Sequence, residues 1–506
     1  MKTRHTCLIF FFLCLTGMLC AQDTIFVMKQ GKVQYFRALS DIDSISFVNT
    51  LDVRRSIVEK VALEPRFSLF YEALSATGMV DSLQMDQDRT YNPALYTYLI
   101  SYPKSNPCDY WYQAVPSSRY FRYTVFMESN ETYGKLGIFN LEKLKEYAKS
   151  VYDEVFPEDA GITDVTDRKN SLNRFISYHL ITKKLTTNLL IDAYDTDHMI
   201  KTQDMYEYLE TMCPNTLMEI SKIRSTNKTN QINRSALTGN AVQIVASSEN
   251  DPKSNGIYHE IDNVLVYSST FSTALSNKRL RFDFSSFFDE LTNNSMRGIG
   301  PQTLEPRFII PNGYLKRLSC SDQATIQYLT PFGKYLDYQG DELSVRANYG
   351  KLFDISLETL PIPAGNYEVR LGYIATGSNA IVQFYMDGIP MNGPVNLMIS
   401  GSAPSIGNVI PHTILNDPDG FENDKTLRNH SYMKGPACFK VPVGGFFPMS
   451  ENARFELTSL RRIIGTLNFQ NAAKHVLSVK SLGGAGFQLD YIEFVPTSLL
   501  ETEDIY

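Results

Sequence analysis

Hydrophobic positions change their period along this chain, and the changes mark out its regions. An apolar run at residues 7–19 is followed by two short alternating stretches, residues 24–28 and 32–36, which flank Gln30-Gly31 and predict a hairpin. Phe67, Phe70, Tyr71 and Leu74 then recur at helical spacing, with Gly78 placed to stop the helix. Asn140 is placed to cap a second helix whose apolar stripe is Leu141, Leu144, Ala148, Val151 and Val155. Leu172, Phe175 and Ile176 mark a third. Residues 121–126 read as a strand between the first two, and the polar stretch 221–240 reads as a loop.

Beyond residue 281 the period falls to two. Phe353, Ile355 and Leu357 alternate, as do Tyr367, Val369, Leu371 and Tyr373, and residues 381–386 end at the hairpin signal Asp387-Gly388. Many short strands between turn residues predict a β-sandwich, with the Gly- and Pro-rich residues 388–420 as an irregular excursion. The expected layout is a signal peptide at 1–21, a small β module and linker at 22–60, an α/β domain at 61–268 and an all-β sandwich at 269–506.

Composition bounds the function. A chain of 506 residues exceeds one ordinary core, and 43% hydrophobic with 20% charged residues is the balance of a folded protein. A net charge of -7, with no basic stripe, excludes nucleic acid as the expected partner. Lys2 and Arg4 ahead of the apolar run, and Ala21 after it, predict export by a cleaved signal peptide, to the cell surface, the outer membrane or the periplasm. Cys20 offers a lipid anchor as the alternative, against which the bulky Leu19 stands. Cys108, Cys213, Cys320 and Cys438 are too dispersed for a zinc knuckle or disulfide scaffold, so free, buried thiols are expected.

Three segments carry a family resemblance. Residues 122–133, RYTVFMESNETY, include Thr124, Val125, Phe126 and Asn130; residues 175–181 include Tyr178-His179; residues 255–265 read NGIYHEIDNVL. In this order, behind a helix at residues 67–78, they resemble the motifs of the fasciclin (FAS1) family. Met127 and Glu128 replace the small residue and proline of the family pattern, and residues 86–120, 157–169 and 221–240 look like insertions. The resemblance implies a compact α/β wedge used in adhesion or matrix binding, without chemistry of its own. The phrases PAGNYEVRLGY at 363–373 and FQLDYIEFVP at 487–496 are similar to galactose-binding-like, carbohydrate-binding sandwiches of jelly-roll type. The phrase SDIDSISF at 40–47 resembles a motif found just after the signal of exported Gram-negative bacterial proteins.

Candidate chemistry is sparse. The chain has no G-x-S-x-G, H-E-x-x-H, phosphate loop or C-x-x-C. Asp337, Asp341 and Glu342 are the best acidic cluster, suited either to a glycosidase pair or to a solvated or cation-holding turn. Tyr110-Trp111-Tyr112 is an aromatic platform on which a sugar ring would stack. His475 with Arg461 and Arg462 suits an acidic sugar or simply a β-surface, and His179 is expected as a buried hydrogen-bonding group. These readings predict no catalytic residue, metal or cofactor, and a glycan or a matrix or surface protein as partner.

Overall fold

The computed structural model describes residues 24–29, 32–38, 56–96, 112–190, 206–223, 228–234, 241–297, 307–330, 338, 341–410, 420–436, 440–442, 449–452, 454 and 456–501. Two compact units separate, Met1–Val53 and Arg54–Tyr506. In the first, β1 (Thr24–Lys29) and β2 (Lys32–Ala38) form the expected antiparallel hairpin.

The second unit is rich in β-sheet. Its first helices are α1 (Ile57–Ala62), α2 (Ser68–Ala76) and α3 (Met79–Gln84), with Gly78 at φ 71° ending the run before α3. Strand β3 (Tyr112–Ala114) precedes β4 (Tyr123–Glu128), which leads into α4 (Asn130–Gly134) and α5 (Leu141–Val155). The Asn140 side chain accepts the Lys143 N–H at 3.0 Å, so α5 carries the expected cap. Helix α6 (Ser171–Tyr178) follows, with β5 (Leu180–Ile181) after it.

A seven-stranded sheet collects β5, β4, β10 (Gly256–Ile261), β9 (Val242–Ser247), β8 (Lys228–Ile232), β7 (Leu217–Ile223) and β6 (Tyr206–Glu210) in that order. Only the β4–β10 pair in it is parallel. Strands β7 and β8 correct the loop expected at 221–240, within its described part. Polarity there did not forbid a strand, because buried Asn230 donates to the Thr187 carbonyl at 3.0 Å.

Three five-stranded sheets follow. One orders β11 (Leu280–Asp283), β26 (Tyr491–Pro496), β17 (Gly365–Ile374), β23 (Ser459–Phe469) and β20 (Tyr432–Lys434). Another orders β25 (Gly486–Leu489), β15 (Glu342–Ala347), β14 (Ala324–Leu329), β12 (Arg307–Ile310) and β3. The last orders β13 (Leu318–Cys320), β16 (Asp354–Glu358), β24 (Val476–Gly484), β18 (Ala380–Met386) and β19 (Ile389–Asn396). A small hairpin joins β21 (Lys440–Pro442) to β22 (Met449–Asn452). Strand β19 corrects the excursion expected at 388–420: Pro390 and Pro394 are tolerated because β19 lies at a sheet edge, where missing donors cost little. Residues 411–419 lie outside the described ones.

Strand β3 comes from the middle of the α/β region, yet it pairs in parallel with β12, Tyr112 facing Arg307. Helices α7 (Ser269–Ser276), α8 (Asp289–Asn293) and α9 (Phe421–Asn429) complete the described helices. None of the helices among the described residues is long and apolar enough to cross a membrane.

One glycine of the resemblance has a steric cause. A Cβ at Gly256 would lie 2.7 Å from the Ile57 Cβ and 3.0 Å from the Tyr123 carbonyl oxygen. Gly256→Ala is therefore expected to destabilise the protein by about 1–3 kcal/mol, as overpacking does, read as a lowered denaturant midpoint at unchanged slope.

Candidate functional site

The residues of the resemblance meet around a buried carboxylate. Glu128, the last residue of β4, is fully buried. Its Oε1 faces His179 Nε2 at 2.9 Å and accepts the Leu265 N–H at 2.8 Å, while its Oε2 accepts the Tyr133 hydroxyl at 2.9 Å. The other imidazole nitrogen, Nδ1, lies 2.7 Å from the Phe175 carbonyl, so both ring nitrogens face oxygen. Asn130 is spent locally as well: it donates to the Pro65 carbonyl and Ser68 Oγ and accepts the Leu69 N–H at 3.2 Å, which supplies the start of α2 with a partner. The Thr124 hydroxyl bridges the Lys183 carbonyl and the Leu185 N–H, and Tyr178 donates to the Leu217 carbonyl. Val125 and Phe126 are core. This constellation is internal, and what it does is hold β4, α4, α6 and the segment after β10 together.

The acidic cluster is internal too. Asp337 lies outside the described residues, while Asp341 and Glu342 are fully buried rather than in a solvated turn. Asp341 Oδ2 accepts from Arg297 Nε at 2.9 Å and from the Tyr328 hydroxyl at 2.7 Å, and Glu342 accepts from Gln488 at 2.6 Å. Arg297 also pairs with buried Asp283, whose carboxyl is pushed well above its ordinary range by burial and then by the charge of Asp341. No group of three or more potential metal-ligating side chains is found among the described residues.

Of the aromatic platform, Tyr110 and Trp111 lie outside the described residues and Tyr112 opens β3. His475, Arg461 and Arg462 do not form a surface group. Arg461 is fully buried and donates to the Lys434 carbonyl at 2.8 Å, Arg462 donates to the His430 and Ser431 carbonyls, and His475 pairs with Asp387 at 2.6 Å. Cys213 and Cys320 are buried free thiols, and Cys108 and Cys438 lie outside the described residues.

A cleft that the sequence did not announce is the better candidate. It encloses about 230 Å³ and draws on both halves of the second unit: Ser82, Met85, Tyr120, Phe121, Tyr123, Thr182 and Met212 from one, Asp289, Glu290, Asn293 and Lys316 from the other, with Arg119 between them. Arg119 fixes its geometry. The buried guanidinium donates from Nε at 3.1 Å and Nη2 at 2.9 Å to Asp88 Oδ2, and from Nη1 to the Gly313 and Tyr314 carbonyls. The Tyr120 N–H donates to Asn294 Oδ1 at 2.9 Å, a second bond across the same junction.

Electrostatics in the cleft are balanced. Lys316 lies 2.8 Å from Asp88 and 4.7 Å from the centre of the Phe121 ring. Burial alone would raise the Asp88 carboxyl, but hydrogen bonds from Lys316 and Thr90 outweigh it and hold that carboxyl well below its usual range. Asp289 accepts the Thr182 hydroxyl at 2.5 Å and lies 3.4 Å from the Lys183 ammonium. Glu290 accepts the Lys316 N–H at 3.2 Å, and its carboxyl is raised above 4.5, first by burial and then by Asp289. The Tyr123 hydroxyl donates to the Ser82 carbonyl at 2.7 Å and is pushed up to about 12 by burial, with Asp86 and Asp289 adding to it.

No family model and no curated protein matches this chain. Among solved structures, the chain is similar to a FAS1 domain pair from the insect cell adhesion molecule fasciclin I, at 13% identity and TM-score 0.20, over 40% of this chain and 45% of that one. It is similar to a Paenibacillus xanthan lyase at 10% identity and TM-score 0.23, over 63% of this chain and 27% of that one. It is also similar to an alpha-1,3-glucanase catalytic domain, solved with tetrasaccharides, at 12% identity and TM-score 0.18, over 36% of this chain and 28% of that one. The chain thus spans less than half the length of each of these structures.

Two outcomes follow from these environments. Glu128→Ala leaves the His179, Leu265 and Tyr133 groups without their acceptor and is expected to cost about 3–5 kcal/mol, with Glu128→Gln costing less, both measured by denaturant unfolding. A raised carboxyl means that the folded state binds more protons than the unfolded state above pH 4.5, so Glu290 lowers stability as pH rises through its folded-state pKa. Glu290→Gln is therefore expected to melt higher than the parent at pH 7.5, with the difference closing toward pH 4.5.

Proposed function

We propose that this chain is an exported, non-catalytic binding protein that captures glycan at the cell surface or in the periplasm and thereby serves adhesion. In this reading residues 61–268 are a FAS1-type wedge, residues 269–506 are a galactose-binding-like sandwich, and the cleft between them holds the ligand. The observation that carries it is the cleft wall. Tyr120, Phe121 and Tyr123 supply aromatic surface, and Thr182, Asp289, Glu290, Asn293 and Lys316 stand beside them as hydrogen-bonding groups. Sugars present an apolar C–H face and a rim of hydroxyls, and a few placed polar groups on an apolar wall match that pattern. The burial of Asp341 and Glu342 supports binding over cleavage by those two carboxylates, because their oxygens are directed at Arg297, Tyr328 and Gln488 inside the fold.

A hydrolase reading has one observation in its favour. Asp289 and Glu290 line the same cleft in different surroundings, Asp289 lying 3.4 Å from the Lys183 ammonium and Glu290 having its carboxyl raised by burial, and a glycosidase uses such a pair of unlike carboxyls. Screening the full chain on a glycan array, with matrix proteins alongside, separates the readings. The binding reading expects retention of at least one glycan, loss of that retention in Phe121→Ser with the fold kept by circular dichroism, and an unchanged ligand after long incubation. Release of reducing ends by the parent, abolished in Asp289→Asn and Glu290→Gln, would establish the hydrolase instead. Retention of a matrix protein with no glycan would replace the ligand class.

A further inference from the structure

Building on the glycan reading, we infer that the cleft recognises a single neutral pyranose at the end of a glycan, rather than a run of sugars or an acidic one. Size is the first ground. The enclosed volume of about 230 Å³ falls below the roughly 300–1,000 Å³ of clefts that take drug-sized ligands, and suits one ring. Its walls come from separated parts of the chain, at residues 82–85, 119–123 and 289–293 and at Thr182, Met212 and Lys316. Those parts are tied to one another by Tyr123 to Ser82, by Arg119 to Gly313 and Tyr314, and by Thr182 to Asp289. Widening the cleft for a second ring would break one of these ties.

Charge is the second ground. An acidic sugar is recognised by cations whose countercharge the ligand itself provides. Here the cations already have carboxylates: Arg119 and Lys316 converge on Asp88, and Lys183 faces Asp289. Burial pushes the remaining carboxyl, Glu290, toward its neutral form, in which it donates a hydrogen bond as well as accepting one. A neutral polyhydroxylated ring needs this mixture of donors and acceptors. An anion entering the cleft would be desolvated against Asp88 and Asp289, and would have to compete with those carboxylates for the donors of Arg119, Lys316 and Lys183.

The ring face is the third ground. Phe121 is backed by the Lys316 ammonium, and the Tyr120 ring lies 4.5 Å from the Arg122 guanidinium. Each ring thus has a cation over it, which fixes its orientation, and both rings contribute aromatic surface to the cleft lining, where C–H groups of a sugar can pack.

The test is calorimetric titration of the full chain with methyl pyranosides of glucose, galactose, mannose and glucuronic acid, and with neutral trisaccharides ending in the sugar that binds. One neutral methyl glycoside is expected to bind, with the matching trisaccharide within about threefold of it and the glucuronide at least about tenfold weaker. The affinity is expected to hold between about 50 and about 500 mM NaCl, because no ligand charge is being screened. Thr182→Val, which keeps volume but removes the hydroxyl that orients Asp289, is expected to weaken the glycoside about tenfold with little change in melting temperature. A trisaccharide at least about tenfold tighter than the monosaccharide, or a glucuronide that wins with salt-sensitive affinity, would overturn this inference while leaving glycan binding intact. Absence of glycan binding by the full chain would end the glycan reading and this inference with it.

Discussion

The second unit depends on one buried guanidinium. Arg119 directs two donors at Asp88 on its own side and a third at the Gly313 and Tyr314 carbonyls on the other. A buried charge with several partners is expensive to disturb, since removing it takes two donors from Asp88 and the side-chain donor from two carbonyls together. The Tyr91 ring lies 5.0 Å from the guanidinium carbon and 5.5 Å from the Tyr314 ring, edge to face, and packs against the junction. Beside it β3 adds a parallel strand to β12. The segment between α3 and β4 therefore works as a latch, and residues 54–506 behave as one compact unit.

Local signals in the sequence were read well, and the reason is physical. The cap at Asn140, the stop at Gly78 and the alternation of β17 depend on neighbours a few residues away. The hairpin turn at Asp387-Gly388 is equally local, with both residues at positive φ. Polar strands such as β8 were missed because their partners come from other segments, as Thr187 does for Asn230.

The surroundings of the candidate site residues were hidden from the sequence for the same reason. Asp341 and Glu342 look solvated in sequence because Arg297 and Gln488 stand 44 and 146 positions away. The cleft is less legible still, since Arg119 and Tyr314 are 195 positions apart. One signal was available: residues 86–120 interrupt the FAS1-like order, and the insertion ends in Arg119-Tyr120 directly before Phe121-Arg122-Tyr123, which joins charge to aromatic surface. That combination marks a contact surface more often than a loose loop, and here it forms a wall of the cleft. The Met127-Glu128 departure from the family pattern has a comparable meaning. Glu128 does not reshape an exposed loop but turns inward as the acceptor for His179, Tyr133 and the Leu265 N–H.

Whether ligand sits across the junction decides between the cleft and the sandwich as the binding site. Hydrogen–deuterium exchange of the full chain, with and without a saturating glycan, reads this directly. Protection gathered in peptides covering residues 82–85, 119–123 and 289–316 together is the predicted result. Protection confined to the strands and turns beyond residue 341, with the junction unchanged, would contradict it and place the ligand on the sandwich alone.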